Sequence, residues 1–323
     1  MTVASRDASE AKPGAKYDRL IAAAKAIPAA ATIVVHPCDE SSLRGVADAA
    51  EAGIIKPILV GPSAKIKATA FKHGIDISGF ELIDVSHSEA AAAKAVELIH
   101  AARGEMLMKG SLHTDELMRS VTAKAGGLRT ERRISHVFVM DVPAYSETIF
   151  VTDAAINIFP DLDGKRDIIQ NAIDLYTHAG FGRSPRVAIL SAVETVTSKI
   201  PSTIEAAALC KMADRGQITG GLLDGPLAFD NAIDQEAARI KGIKSEVAGR
   251  AQILVVPDLE SGNMLAKNLA YFAKADGAGI VLGARVPIVL TSRADSPRAR
   301  MASCAVATLY ADARRRRAQI AAA

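Results

Sequence analysis

Tryptophan is absent from the 323-residue chain, and aromatic residues make up only 4% of it. An interior without large rings is filled by Ala, Val, Ile and Leu, as expected where helices cover a parallel sheet. Cysteine is scarce too: Cys38, Cys210 and Cys304 lie far apart, with no CxxC and no paired histidine nearby. That argues against a disulfide framework or a zinc site and fits a reducing cytoplasm. Nowhere do roughly eighteen apolar residues run together. The most apolar stretch, AGIVLGARVPIVL, is broken by Arg285 and Pro287, so a soluble chain that does not cross a membrane is expected. The opening MTVASRDASEAKPGAKYDR lacks the apolar segment of an export signal. Charge of one sign is missing as well. The 39 basic and 36 acidic residues leave a net +3, too even a balance to nominate nucleic acid or an anionic membrane surface as partner.

Missing motifs narrow the chemistry. No GxGxxG follows the first strand, and GxxxxGKS/T, GxSxG and HExxH are all absent. Rossmann-type dinucleotide binding and P-loop hydrolysis are therefore disfavoured, and no metal site is indicated. His36 and His136 border predicted strands, where a packed, hydrogen-bonded role is the better reading.

What is present is 49% hydrophobic residues in a chain long enough for about two domains. Aliphatic runs at Thr32–His36, Pro57–Val60, Glu81–Val85, His136–Asp141, Val187–Ser191, Gln252–Val256 and Pro287–Thr291 read as strands. Amphipathic segments of helical length alternate with them. In the last, Met301, Cys304, Ala305, Thr308 and Leu309 share one face. This βα alternation predicts parallel sheets with helices on both faces, and ligands beyond the carboxyl ends of the strands. A composition shift at FPDLDG, Phe159–Gly164, marks a domain crossing.

Polar clusters sit where that rule directs attention. In VPIVLTSRADSPRAR a strand ends in Thr291, Ser292 and Arg293, and Asp295, Ser296 and Pro297 open a helix. Asp295 or Ser296 is a ready N-cap. Capping leaves Ser292 and Arg293 unexplained, and a hydroxyl and a guanidinium at a helix N-terminus suit a phosphate or an acyl oxyanion. VPDLESGNMLAK offers Asn263 and Lys267 on a helix, LDGPLAFDN gathers Asp224, Asp230 and Asn231 at a Gly-Pro turn, and MKGSLHT places Lys109 in a basic loop. For each, turn or cap chemistry is the plainer alternative.

In order, MKGSLHT, RRISHVFVMD, TDAAINIFPDL, VAILSAVETV, DGPLAFDNAI, VPDLESGNMLAK and VPIVLTSRADS resemble the phosphate acetyltransferase and phosphate butyryltransferase family. The resemblance implies two parallel-sheet α/β domains with an interdomain cleft, like the isocitrate and isopropylmalate dehydrogenases. The first domain would be discontinuous, residues 1–157 plus 286–323, and the second 158–285. It implies a homodimer acting on acyl-CoA, phosphate and acyl phosphate, with coenzyme A as substrate and no tightly bound cofactor. The thiolate of coenzyme A would attack acyl phosphate in a ternary complex. Ser292 matches the serine that contacts the reacting carbonyl, and Arg293 the arginine that steadies thiolate or acyl phosphate. Acetyl-specific members carry an aspartate where this chain has Ala299. Asp295, within an SRADS form like that of the butyryltransferases, is then either the base or a cap. Lys109, Arg119, Ser135, Asp230, Asn231, Asn263 and Lys267 complete the expected substrate contacts. A non-catalytic acyl-CoA-sensing domain on the same fold is the alternative. A decarboxylating NAD-dependent dehydrogenase, with Asp224, Asp230 and Asp258 on a metal, is a third reading.

Overall fold

Short runs rich in Val and Ile become strands, and alanine-rich stretches between them become helices that lie on the sheet. The computed structural model describes residues 14–291 and 295–322. In chain order the elements are first α1 (Ala15–Lys25), β1 (Ala30–Val35), α2 (Glu40–Glu51), β2 (Ile55–Gly61), α3 (Ser63–His73), β3 (Glu81–Asp84), α4 (Ser88–His100), β4 (Met106–Lys109) and α5 (Thr114–Val121). Next come β5 (Ser135–Asp141), β6 (Ile149–Thr152), α6 (Leu162–His178), β7 (Arg186–Leu190), α7 (Pro201–Asp214), β8 (Leu222–Leu227), α8 (Phe229–Ile233), α9 (Gln235–Ile240), β9 (Ile253–Val255) and α10 (Leu259–Tyr271). The chain closes with β10 (Asp276–Leu282), β11 (Ile288–Val289) and α11 (Pro297–Ala322).

Two bodies result, Tyr17–Arg132 with Ala278–Ala323, and Arg133–Gly277 with the segment ending at Lys16. The crossings fall at Arg132–Arg133 and Gly277–Ala278, earlier than the 157–158 and 285–286 that the family resemblance implies. Strand pairing accounts for the first shift. β5 ladders with β6, and β6 with β9, which ties Ser135–Thr152 to the second body.

In the first body the strand order is β3-β2-β1-β4-β11-β10, parallel except for the antiparallel β10–β11 pair. In the second it is β5-β6-β9-β7-β8, parallel except for β5–β6. Both antiparallel pairs join strands linked by short loops, which cannot make the long crossover that parallel pairing needs. α11 is buried on all sides from Ala302 to Thr308, and Met301 and Leu309 are only half-buried, so its small residues seat a whole turn rather than one face.

The few aromatics are concentrated. Phe150 on β6 meets Tyr176 and Phe181 edge-on, with centroids 5.3 and 5.0 Å apart, in the second body. There too Lys16 is buried against Asp141 at 2.9 Å, and its ammonium also donates to the Val142 carbonyl at 2.6 Å. A buried ion pair of this kind persists because each charge has its partner.

His136 on β5 is 1% exposed, and its ring packs 4.4 Å from that of Phe138. Burial lowers its pKa from 6.5 to about 3. Below pH 6.5 the unfolded chain therefore takes up a proton that the folded chain refuses until about pH 3. The stabilisation is complete above pH 6.5 and is lost as pH falls through that window, by at most about 1.4 kcal/mol per pH unit. Urea unfolding of a His136→Leu variant should show a smaller loss of stability than the parent between about pH 6.5 and 4.5. Equal losses in the two proteins would refute the assignment.

Candidate active site

In the first body β4 lies between β1 and β11 and is parallel to both, with Val35 opposite Lys109 and Val289 opposite Met108. The carboxyl ends of three strands thus lie side by side. Lys109, at the end of β4, is half-buried, and its ammonium donates to the carbonyls of Leu112 and Gly110 at 3.1 and 3.3 Å. The loop turns tightly enough that a Cβ on Gly110 would stand 2.4 Å from the Val35 carbonyl oxygen. Ser111 fastens it: its hydroxyl donates to the His36 carbonyl at 2.8 Å and accepts from the Cys38 amide at 3.0 Å. The result is a positive charge held at the strand edge by a braced loop.

Burial, chiefly, and the charge of Lys65 hold the His36 imidazole below its ordinary pKa. Burial pushes the Cys38 thiol up to about 11, and Cys210 and Cys304 to about 12. None of the three is the activated thiolate that covalent catalysis by cysteine requires. Arg119 lies on α5, largely exposed, 3.6 Å from the equally exposed Glu89; such a surface pair is weak and yields readily to a better anion.

Thr291, after β11, is buried. Ser292 and Arg293 lie outside the described residues. Beyond them Ser296 caps α11, its hydroxyl accepting from the Ala299 amide at 3.1 Å. The Ser296 carbonyl accepts the Arg300 amide, also at 3.1 Å. Asp295 precedes the cap and is half-buried, and Ala299 is buried in the helix.

The second body builds a corresponding edge. β6, β9, β7 and β8 run parallel, and antiparallel β5 brings its amino end, Ser135, to the carboxyl end of β6. Ser135 is fully buried, and its hydroxyl accepts from Asn171 at 2.8 Å. Asn263, near the start of α10, donates to the Ala154 carbonyl at 3.3 Å. Gly262 beside it permits the approach, since a Cβ there would meet Val256 at 2.7 Å. Lys267, on the same helix, is exposed. Asp230 is exposed on α8, and Asn231 is fully buried, its amide 3.5 Å from Glu194. Lys241 pairs with Glu194 at 2.9 Å, which holds that carboxyl below its usual range.

Asp153 was not singled out from sequence, although it stands in the TDAAINIFPDL stretch. Its carboxylate is 3% exposed and accepts from the amides of Ala155, Ile156 and Asn157 at 2.9, 3.0 and 3.2 Å, and from the Asn157 side chain at 2.6 Å. Desolvation raises its pKa against the pull of these donors. Asn157 in turn accepts from Arg133 Nε at 2.7 Å. The signal in the sequence was an aspartate directly after an aliphatic run. Asp258 caps α10, bonding the Ser261 amide at 2.8 Å, and Asp224 bonds the next amide, so neither joins Asp230 in a common cluster. Among the described residues no group of three or more His, Cys, Asp or Glu gathers as metal ligands would.

Comparison with solved structures defines the class. A branched-chain phosphotransacylase from Enterococcus faecalis superposes with a TM-score of 0.75 at 28% identity, over 87% of this chain and 98% of that one. The family model described as phosphate acetyl/butaryl transferase matches residues 89–308. A phosphate acetyltransferase of Rhizobium meliloti is 74% identical over 95% of this chain and 96% of its own length. A phosphate butyryltransferase of Clostridium acetobutylicum is 44% identical over 84% of this chain and 90% of its own. The chain belongs to the phosphate acetyl/butyryltransferase family, whose members are acyltransferases.

With Ser296 as the cap, Ser296→Ala should lower the stability of the protein by about 1 kcal/mol, whereas Asp295→Ala should lower it far less. Urea unfolding of the two variants checks this; the reverse order would return the cap to Asp295.

Proposed function

We propose that the chain moves a short acyl group, acetyl in the first place, reversibly between coenzyme A and inorganic phosphate. The observation that carries the reading is the close likeness over nearly the whole chain to a phosphate acetyltransferase, 74% identical. It outweighs the butyryltransferase-like SRADS form as a guide to chain length. One methylene in an apolar pocket is worth only about 1–3 kcal/mol, so butyryl should be used more slowly rather than refused.

The chemistry asks for three things. The thiol of coenzyme A, with a pKa near about 8.5, must lose its proton. The thiolate then attacks the acyl phosphate carbonyl, the acyl carbon–oxygen bond breaks, and phosphate leaves with the electron pair. Charge must hold thiolate and phosphoryl oxygens, and a donor must meet the oxyanion as the tetrahedral centre forms. Arg293 and Lys109 supply the charge in this reading and Ser292 the donor. Asp295 takes the thiol proton. Support for that role comes from its place one residue before Ser296, whose hydroxyl accepts the Ala299 amide at the start of α11. Arg119, Asp230, Asn263 and Lys267 are the proposed contacts to the rest of the two substrates, and the fully buried Asn231 acts at one remove, through Glu194. Ser135 serves them at one remove, through its bond with Asn171.

A homodimer in the cytoplasm is part of the proposal. Ile158, Phe159, Met264, Tyr271 and Phe272 are all exposed, and the Ile158 carbonyl accepts the Leu259 amide at 3.0 Å, which sets their loop beside the start of α10. Large apolar side chains exposed on this loop and along α10 suit a second copy. Among the described residues no helix is long and apolar enough to cross a membrane, and all three cysteines are free thiols.

Arg293→Ala should lower kcat by about two to three orders of magnitude with the fold retained; near-parental turnover would remove Arg293 from the reaction. Asp295→Asn should flatten the rise of rate with pH on the acid side of the profile, and an unchanged profile would take the base elsewhere. Phe272→Glu should shift the protein towards monomer in sedimentation, and an unaltered mass would move the dimer contact off α10.

A further inference from the structure

The carbonyl of Asp295 lies one residue before Ser296, whose own carbonyl accepts the Arg300 amide at 3.1 Å, and a side chain reaches it. Arg300, one turn into the helix, folds back and donates from Nη1 to the Asp295 carbonyl oxygen at 2.6 Å. Its path crosses α2 where that helix has glycine: a Cβ on Gly45 would lie 3.1 Å from Arg300 Cδ and 3.3 Å from Nε. Nε is buried and finds no hydrogen-bond partner among the described residues. A guanidinium with one donor buried and unbonded is a poor way merely to fill space, because such a group loses hydration without recompense. The bond it does make fixes the direction in which the chain enters α11.

We infer that Arg300 is a positioning residue for acyl transfer. Its guanidinium, admitted by Gly45, pins the Asp295 end of the proposed reacting segment. The inference rests on the proposed reading of that segment as the reacting one. Arg300 does not touch substrate; it acts through the backbone of Asp295. A pin of this kind governs how well reacting groups are aimed, so its loss should appear in kcat more than in KM.

The test uses the full-length enzyme in four variants assayed with acetyl-CoA and phosphate. Arg300→Met keeps the stem across Gly45 and removes the donors. It should lower kcat about tenfold or more while leaving KM for acetyl-CoA within about twofold and the thermal midpoint nearly unchanged. Arg300→Lys, which restores a donor, should recover most of the rate. Gly45→Ala favours the helix yet crowds Arg300, so it should lower kcat without lowering the midpoint. Parental kcat in Arg300→Met overturns the proposal. So does a rate loss that tracks a fallen midpoint and is not rescued by lysine. If Arg300→Met fails to fold, Gly45→Ala decides: a lowered kcat at an undiminished midpoint supports the pin, and parental kcat overturns it. Arg293→Ala, run in parallel, separates the two failures, because parental turnover there sinks the reading of the segment itself rather than the role of Arg300.

Discussion

Parallel pairing of β4 with β1 on one side and β11 on the other is the constraint on which the first body depends. It sets Lys109, the His36 turn and Thr291 along one edge, although they come from positions up to 255 residues apart (36 to 291). β11 has only two residues, and one of its neighbours is antiparallel. Its register is nonetheless firm, because both its residues are fully buried and a slip of one would turn them to the other face. Evenly aligned strand ends are what a parallel ladder delivers, and helices that follow such ends present their unpaired amides to the same edge.

The second body reaches a similar edge by a different device. There β5 runs against β6, so the amino end of one strand and the carboxyl end of the other meet, and Ser135 comes to the side where Asp153 turns the chain. Asp153 is the hub of that turn. A buried carboxylate with four donors rigidifies its surroundings, and with Asn157 it passes order outward to Arg133. The edge is thus stiff where the backbone turns, while Asp230 on α8 and Lys267 on α10 are exposed.

Much of this was legible in the residues. Val- and Ile-rich runs bounded by Gly, Pro or Asp marked β1, β2, β3, β5, β7, β9 and β11, because a short continuous aliphatic run between turn residues is the signal of a strand. The strands β4, β6, β8 and β10 were not expected from sequence. β4 reads MLMK and β8 reads LLDGPL, so neither has the β-branched content that marks a strand; tertiary pairing decided them. Strand direction was hidden too, since periodicity says nothing about which neighbour a strand will find. At the site, the loop clusters at Lys109, Asn231 and Asn263 were found because polar residues after aliphatic runs are conspicuous. Arg300 was not, for its part depends on a glycine 255 positions earlier (300 − 45) that only the packing of α11 on α2 brings beneath it.

The central claim is direct transfer between coenzyme A and phosphate without an acyl-enzyme, in keeping with three cysteines whose thiols burial keeps protonated. Initial-rate kinetics of acetyl phosphate formation, with acetyl-CoA and phosphate both varied, tests it most directly. Double-reciprocal lines that intersect are the predicted result, as both substrates must be bound before transfer. Parallel lines, or no acetyl phosphate at all, would contradict it.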